Sequence, residues 1–207
     1  MRVLLAGFGP FPGAPLNPSA AVAQTLARRR RPALAGLDRS VHVFATTYAA
    51  VDRDLPRLFA GKPDIVLIFG LAGRRRQICV ETRARNATSL LFPDASGWRP
   101  STGVIEAHGP DALFGRAPVH RLLGAARVSG APVRLSRDAG RYLCNYVYWR
   151  ALQRAPHGRP LVQFVHIPTV ASVTRRRRNK KRHAPTLAQL VAAAENLLIS
   201  LAAARKH

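Results

Sequence analysis

One cysteine in this chain stands where a thiol can be made reactive. The segment from Ser136 to Trp149 reads SRDAGRYLCNYVYW, and its start signals predict a helix over Ala139 to Gln153 that carries Cys144 within its first turn or two. Amide N–H groups near a helix N-terminus lack partners and carry partial positive charge, so they favour a thiolate over a thiol and can hold an oxyanion. The same segment also fits a core helix whose thiol is simply buried among aromatic rings. A base separates the two readings, because a cysteine nucleophile needs one group to take its proton and a third to hold that base in the right tautomer. His166, at the end of the apolar run LVQFVHI, and Glu81, near the end of an alternating segment, are the candidates. Taken singly, His166 fits a histidine closing a strand and Glu81 fits an ordinary ion pair with Arg83 or Arg75. Whether they meet Cys144 depends on the elements that carry them.

Those elements alternate between strand and helix. Arg2 to Ala6 predicts a short buried strand, ended by the loop Gly7 to Gly13 (GFGPFPG), which holds Phe8 and Phe11 in irregular backbone. Asn17-Pro18-Ser19 opens a helix with Arg28 to Arg31 at its end, the side on which cations suit the dipole. Val41 to Thr47 alternates as a strand, Tyr48 to Ala60 predicts a helix despite Pro56, and Asp64 to Gly70 (DIVLIFG) is a continuous apolar run typical of a buried parallel strand. Gln77 to Ala84 predicts a strand and Asn86 to Gly109 a loop long enough to suggest function. Asp111 to Val128 predicts a helix interrupted by Pro118, and Val133 to Leu135 a short strand. Leu161 to Ile167 is a buried strand stopped by Pro168, and Pro185-Thr186 opens a C-terminal helix through Ala204. This order predicts a single α/β domain over residues 1–207, a three-layer α/β/α sandwich around a mainly parallel twisted sheet. Such sheets bind ligands beyond the carboxyl ends of their strands, so the first loop, Glu81, His166 and the start of the cysteine helix are expected to open on one edge.

Composition narrows the function classes. With 207 residues and 47% hydrophobic content the chain can bury a full core, and no apolar run approaches the ~20 residues needed to span a bilayer. The apolar run Val3 to Ala6 is too short for an export signal, and Cys79 and Cys144 are far apart, so a reducing, cytoplasmic setting without membrane attachment is expected. Much of the net charge of +23 is carried by arginine clusters at residues 28 to 31, 74 to 76 and 175 to 178, the last followed by Lys180, Lys181 and Arg182. Such runs attract nucleic acid, anionic membranes or acidic substrates. No zinc-finger, bZIP or RNP-type motif accompanies them and no aromatics interleave with them, so a solvated arginine-rich surface is favoured over nucleic-acid binding. The segment Arg175 to His183, with seven Lys or Arg among nine residues, is expected to be an exposed, mobile linker after the histidine strand, and a solvated loop with no part in substrate selection is favoured over one that overhangs the pocket and prefers acidic peptides.

The ordered set of motifs resembles the pyroglutamyl peptidase I (pyrrolidone-carboxylate peptidase) family of cysteine exopeptidases through nearly the whole chain. Its GFxPFxG loop followed by NPS matches Gly7, Phe8, Pro10, Phe11, Gly13 and Asn17-Pro18-Ser19. Ala72-Gly73, Arg75, Ile78, Glu81, Ala84 and Asn86 match its central pattern, and Pro93-Asp94, Gly97 and Pro100 the following one. Ser136, Ala139-Gly140, Tyr142 and Cys144-Asn145 match the cysteine motif, and Val165-His166-Ile167-Pro168 the histidine motif. Departures stand at Leu71, where members often have Gln, at Arg74 for Gly, at Thr82 for Arg, at Leu91 for Arg and at Ala95 for Asn.

The resemblance implies removal of N-terminal 5-oxoproline from peptides, with Cys144 as nucleophile, His166 as base and then acid, and Glu81 orienting His166. It implies no cofactor and no metal, and no HExxH or Cys/His ligand spacing is present. Pyroglutamate is small, flat and uncharged, so a slot of Phe8, Phe11, Phe92 and Tyr142 suits it as a substrate pocket. Members are often dimers or tetramers, which makes a homo-oligomer an expectation here. Loss of polar side chains at Leu71 and Leu91 leaves a related cysteine amidase with another small acyl substrate as an alternative, since deleting a hydrogen-bond partner costs about 1 to 3 kcal/mol. A catalytically silent polyanion binder is the third reading.

Overall fold

The computed structural model describes residues 1–11, 14–156, 159–170 and 184–206, so the basic segment Arg175 to His183 and Gly13 of the first loop lie outside the described residues. In chain order the elements are β1 (Arg2–Phe8), α1 (Pro18–Arg28), a 3-10 turn (Pro32–Leu34), β2 (Asp38–Phe44), α2 (Tyr48–Ala60), β3 (Ile65–Leu71), β4 (Ile78–Glu81), β5 (Arg83–Arg85), β6 (Ala112–Phe114), α3 (Val119–Arg127), β7 (Val133–Ser136), α4 (Leu143–Gln153), β8 (Leu161–Ile167) and α5 (Leu187–Lys206). The main sheet has strand order β2-β1-β3-β8-β4-β7, and β5 pairs with β6 in a separate ribbon. All neighbouring pairs in the main sheet are parallel except β4 with β8.

Strand alternation splits the apolar residues into two cores, one on each face. Leu5, Leu67, Phe69, Val80 and Val165 pack against α1, α3 and α5, whereas Leu4, Ile68 and Phe164 pack against Tyr48, Val51 and Leu55 of α2 and Leu143, Val147 and Tyr148 of α4. The result is the expected three-layer sandwich about a mostly parallel sheet. By length and composition α5 is apolar enough to cross a membrane, yet its Leu190, Val191, Leu197, Leu198 and Leu201 are buried in the first of these cores. Arginines of the first cluster are partly structural: Arg29 and Arg31 pair with the buried Glu195, and Arg39 donates to the carbonyls of Leu26 and Arg29 at the end of α1.

Several boundaries differ from the sequence expectations for identifiable reasons. Phe8 belongs to β1 rather than to the loop, because β1 pairs with β2 as far as Phe44. Gly7 makes this possible: a Cβ there would lie 2.6 Å from the Ser19 backbone, so only glycine lets α1 start so close to the strand. The helix expected from Asp111 begins only at Val119, with Pro118 at its N-cap, and Ala112 to Phe114 pair with β5 instead. The cysteine helix starts at Leu143 rather than Ala139, since Tyr142 is extended and Gly140 has φ of 83°. The expected strand Gln77 to Ala84 is divided, with β4 ending at Glu81 and β5 beginning at Arg83.

Candidate active site

The antiparallel setting of β4 changes how the site is assembled. Glu81 ends a strand that runs opposite to β8, so the two do not meet as neighbouring carboxyl ends; they meet across the ladder. Cys79 is paired with His166, and Glu81, two residues on, lies on the same face as His166 and diagonal to it. From there Glu81 Oε1 accepts from His166 Nδ1 at 2.8 Å and from Arg75 Nη1 at 2.7 Å. Since Nδ1 is engaged by Glu81, Nε2 is the ring nitrogen left to interact with Cys144, whose sulfur raises the imidazole. Cys144 is half-buried, whereas Glu81 is 0% and His166 5% exposed.

Electrostatics follow from this packing. Burial pushes the Glu81 carboxyl up, but its bond to His166, the imidazolium charge, Ser136 and the Arg75 guanidinium together hold it below the usual carboxylate range. Burial pushes the His166 imidazole down, and Cys144 and Glu81 outweigh it, so His166 is raised to about 9. A protonated imidazole beside a sulfur and a carboxylate is the arrangement a cysteine nucleophile uses. Arg75 also donates to the Ser136 hydroxyl at 3.3 Å and to the Asp138 carbonyl at 2.5 Å, which ties Glu81 to the turn leading into α4.

Gly70 is the residue that sequence reasoning missed beneath the thiol. It pairs with His166 in the register of β3 and β8, and a Cβ at Gly70 would lie 2.9 Å from Cys144 Sγ and 2.6 Å from the Phe164 ring. Only glycine lets the sulfur settle against the sheet beside His166. Phe164 fills the rest of this floor, its ring edge-on to His166 at 4.9 Å between centroids. No side chain caps the N-terminus of α4, so the amides of its first turn are not taken up by a capping residue.

The four expected pocket residues occupy different settings. Phe8 is 3% exposed and packs against Phe44 at 5.7 Å, part of the core behind the first loop. That loop is fastened by α1: the Phe8 amide donates to Ser19 Oγ at 2.9 Å, and Asn17 Nδ2 donates to the Gly9 carbonyl at 3.1 Å. Phe11 is partly buried and exchanges two backbone hydrogen bonds with Ala14. Tyr142 directly precedes α4 and donates to the Pro93 carbonyl at 2.8 Å, with its ring edge-on to Tyr48. Phe92 is 63% exposed on the loop between β5 and β6. That loop is held by Asp94, whose carboxylate accepts from the amides of Tyr48, Ser96 and Trp98 and from the Ser96 hydroxyl. Asn145, next to the cysteine, grips the start of the loop through the Arg85 amide and the carbonyls of Arg85 and Ala87.

Comparison with known proteins gives a consistent result. Residues 1–206 match the pyroglutamyl peptidase family. The pyrrolidone-carboxylate peptidase of Chromobacterium violaceum is 35% identical over 167 residues, covering 80% of this chain and 77% of that protein. The enzyme of the same name from Thermococcus onnurineus is 34% identical over 173 residues, covering 82% and 84%. Among solved structures, pyrrolidone carboxyl peptidase from Thermococcus litoralis superposes with a TM-score of 0.84 at 29% identity, covering 99% of this chain and 95% of that one. The Fervidobacterium islandicum enzyme gives 0.86 at 28% identity, covering 98% and 99%. The chain therefore belongs to the pyroglutamyl peptidase family.

Proposed function

We propose that this protein is a cysteine exopeptidase that hydrolyses the bond following an N-terminal pyroglutamyl residue of peptides. The observation that carries the reading is the row Glu81, His166 and Cys144 inside a chain of this family, with a 2.8 Å bond from His166 Nδ1 to the buried Glu81 carboxylate. Cys144 Sγ attacks the acyl carbon, the amides at the start of α4 hold the oxyanion, and His166 passes its proton to the departing amine as the thioester forms. Water then gives a proton to His166 and attacks the thioester, which releases pyroglutamate and restores the thiol. Glu81 keeps the imidazole in the tautomer with Nδ1–H toward the carboxylate and offsets its charge.

The pocket reading rests on polarity. Glu81 and Asp94, the buried carboxylates beside the site, are already engaged by Arg75 and His166 and by three amides and a hydroxyl, so neither is free to hold a substrate ammonium. In this reading Phe11, Phe92 and Tyr142, with Phe8 behind them, supply apolar surface that favours an uncharged lactam ring over a free amino terminus. The test is hydrolysis of a pyroglutamyl arylamide beside its prolyl and glutamyl analogues. Cleavage of the first alone is expected; equal cleavage of the prolyl substrate, or of none, would overturn the reading.

A further inference from the structure

The main-chain carbonyl of Glu81 accepts two side-chain hydrogen bonds that the chemistry above does not use. Gln163 Nε2 donates to it at 2.8 Å and the Tyr148 hydroxyl at 3.2 Å. Both residues are fully buried, and each comes from an element that also supplies a catalytic group, β8 with His166 and α4 with Cys144. We propose that Gln163 and Tyr148 are positioning residues that clamp the Glu81 peptide and so keep its carboxylate on His166, an inference that rests on the role given to Glu81 above.

The reason lies in where the ladder stops. The antiparallel pairing of β4 with β8 comprises Cys79 with His166 and Val80 with Val165, ending one residue before Glu81. Beyond that point side-chain donors take over from ladder amides. They come from opposite faces: Tyr148 packs with Phe164 on the α2 and α4 side, and Gln163 alternates with Phe164 and so projects from the other side. Gln163 Nε2 also donates to the Phe164 carbonyl at 2.7 Å, so one amide bridges β8 and the end of β4. Burial and the nearby Glu81 charge push the Tyr148 hydroxyl up, which keeps it a donor throughout the working pH range. A fully buried carboxylate whose Oε2 has no partner among the described residues depends on the placement of Oε1, and a small rotation of this peptide would break that placement.

The test uses the full-length protein with Tyr148→Phe and Gln163→Leu, each of which deletes donors while keeping most of the volume. The first readout is kcat and KM on a pyroglutamyl arylamide. The second is the pH profile of Cys144 alkylation by iodoacetamide, which requires no pyroglutamyl substrate and therefore still reports if the substrate assignment fails. The groups facing His166 are Cys144 from α4, Glu81 and Cys79 from β4, and Arg75 and Ser136 around the carboxylate. Loss of the clamp weakens only the Glu81 contribution, so the alkaline step, where the imidazolium loses its proton, should move to lower pH by about half a unit. Each variant should lose roughly three- to tenfold in kcat, with KM within about twofold. Trp149→Phe, at a fully buried position with no bond to Glu81, serves as the control for stability and should lower Tm without moving that step. Alkylation profiles of Tyr148→Phe and Gln163→Leu that overlay the wild type, whatever their Tm, would reduce the clamp to packing and overturn the inference.

Discussion

The row of Glu81, His166 and Cys144 and the long loop between β5 and β6 are held in contrasting ways. Glu81, His166 and Gly70 lie on strands, their positions fixed by register and by bonds among fully buried groups. The loop from residue 86 to 111 hangs from a few polar anchors, Asn86, Asp94 and the Tyr142 hydroxyl, and turns Leu90, Leu91, Phe92 and Trp98 outward. Leu91 is 77% exposed, so its side chain has no packing role within the chain. On the proposed function, this division places the chemistry on buried strands and the start of α4, and the shaping of the substrate's surroundings on an exposed loop. Substitutions in the row should therefore change kcat, and those in the loop should change KM.

The largest effect is expected at the thiol. Cys144→Ser should lower kcat/KM by about 10,000-fold or more with Tm little changed, whereas Cys79→Ser, at a buried thiol of β4, should stay within about twofold of wild type. His166→Ala should approach the Cys144 loss, and Glu81→Gln should cost less, roughly 100-fold, because an orienting group adds geometry and charge while the base carries the proton. The wild-type pH profile should fall on its alkaline side near the value of about 9 set for His166. Glu81 is one of the groups that raise His166, so Glu81→Gln should move that limb to lower pH; an unmoved or raised limb would separate Glu81 from the imidazole.

Gly70→Ala comes next, with kcat down by roughly 10- to 100-fold, since the added methyl must displace either the Phe164 ring or the Cys144 sulfur. In the loop, Asp94→Ala should raise KM by about tenfold while kcat stays within about threefold, because it releases three amides without touching the row. A fall in kcat as large as that of Gly70→Ala would erase the division between the two regions. Leu91→Ser should be the smallest, within about twofold in both constants and with no loss of Tm, as measured by steady-state kinetics and thermal melts.

Much of this arrangement is legible in the residues, and the failures share a cause. The runs DIVLIFG and LVQFVHI became β3 and β8 within a residue because continuous apolar patterns bounded by proline, glycine or charge leave little choice, and α2 spans Tyr48–Ala60 as its periodicity indicates, with Pro56 inside it. Alternation around Ile78 and Val80 marks a strand but carries no sign for its direction, so the antiparallel setting of β4 was invisible. Glu81 and His166 were expected to converge at neighbouring carboxyl ends; they meet instead through ladder pairing. Ala112 to Phe114 has too few residues to show a period and becomes strand only through β5, which supplies its partner. Gly70 and Gln163 read as ordinary members of apolar runs, and their contributions emerge only once α4 and β4 are packed against them.

The most direct measurement is a rapid acid quench of the wild-type protein during turnover of a pyroglutamyl ester, followed by intact and peptide mass spectrometry. A mass increase equal to one pyroglutamyl group on Cys144, absent in Cys144→Ser and accumulating in proportion to the burst of released alcohol, is the expected result. Steady turnover with no covalent adduct, or an adduct mapped to Cys79, would contradict the assignment of the Glu81, His166 and Cys144 row as the catalytic centre.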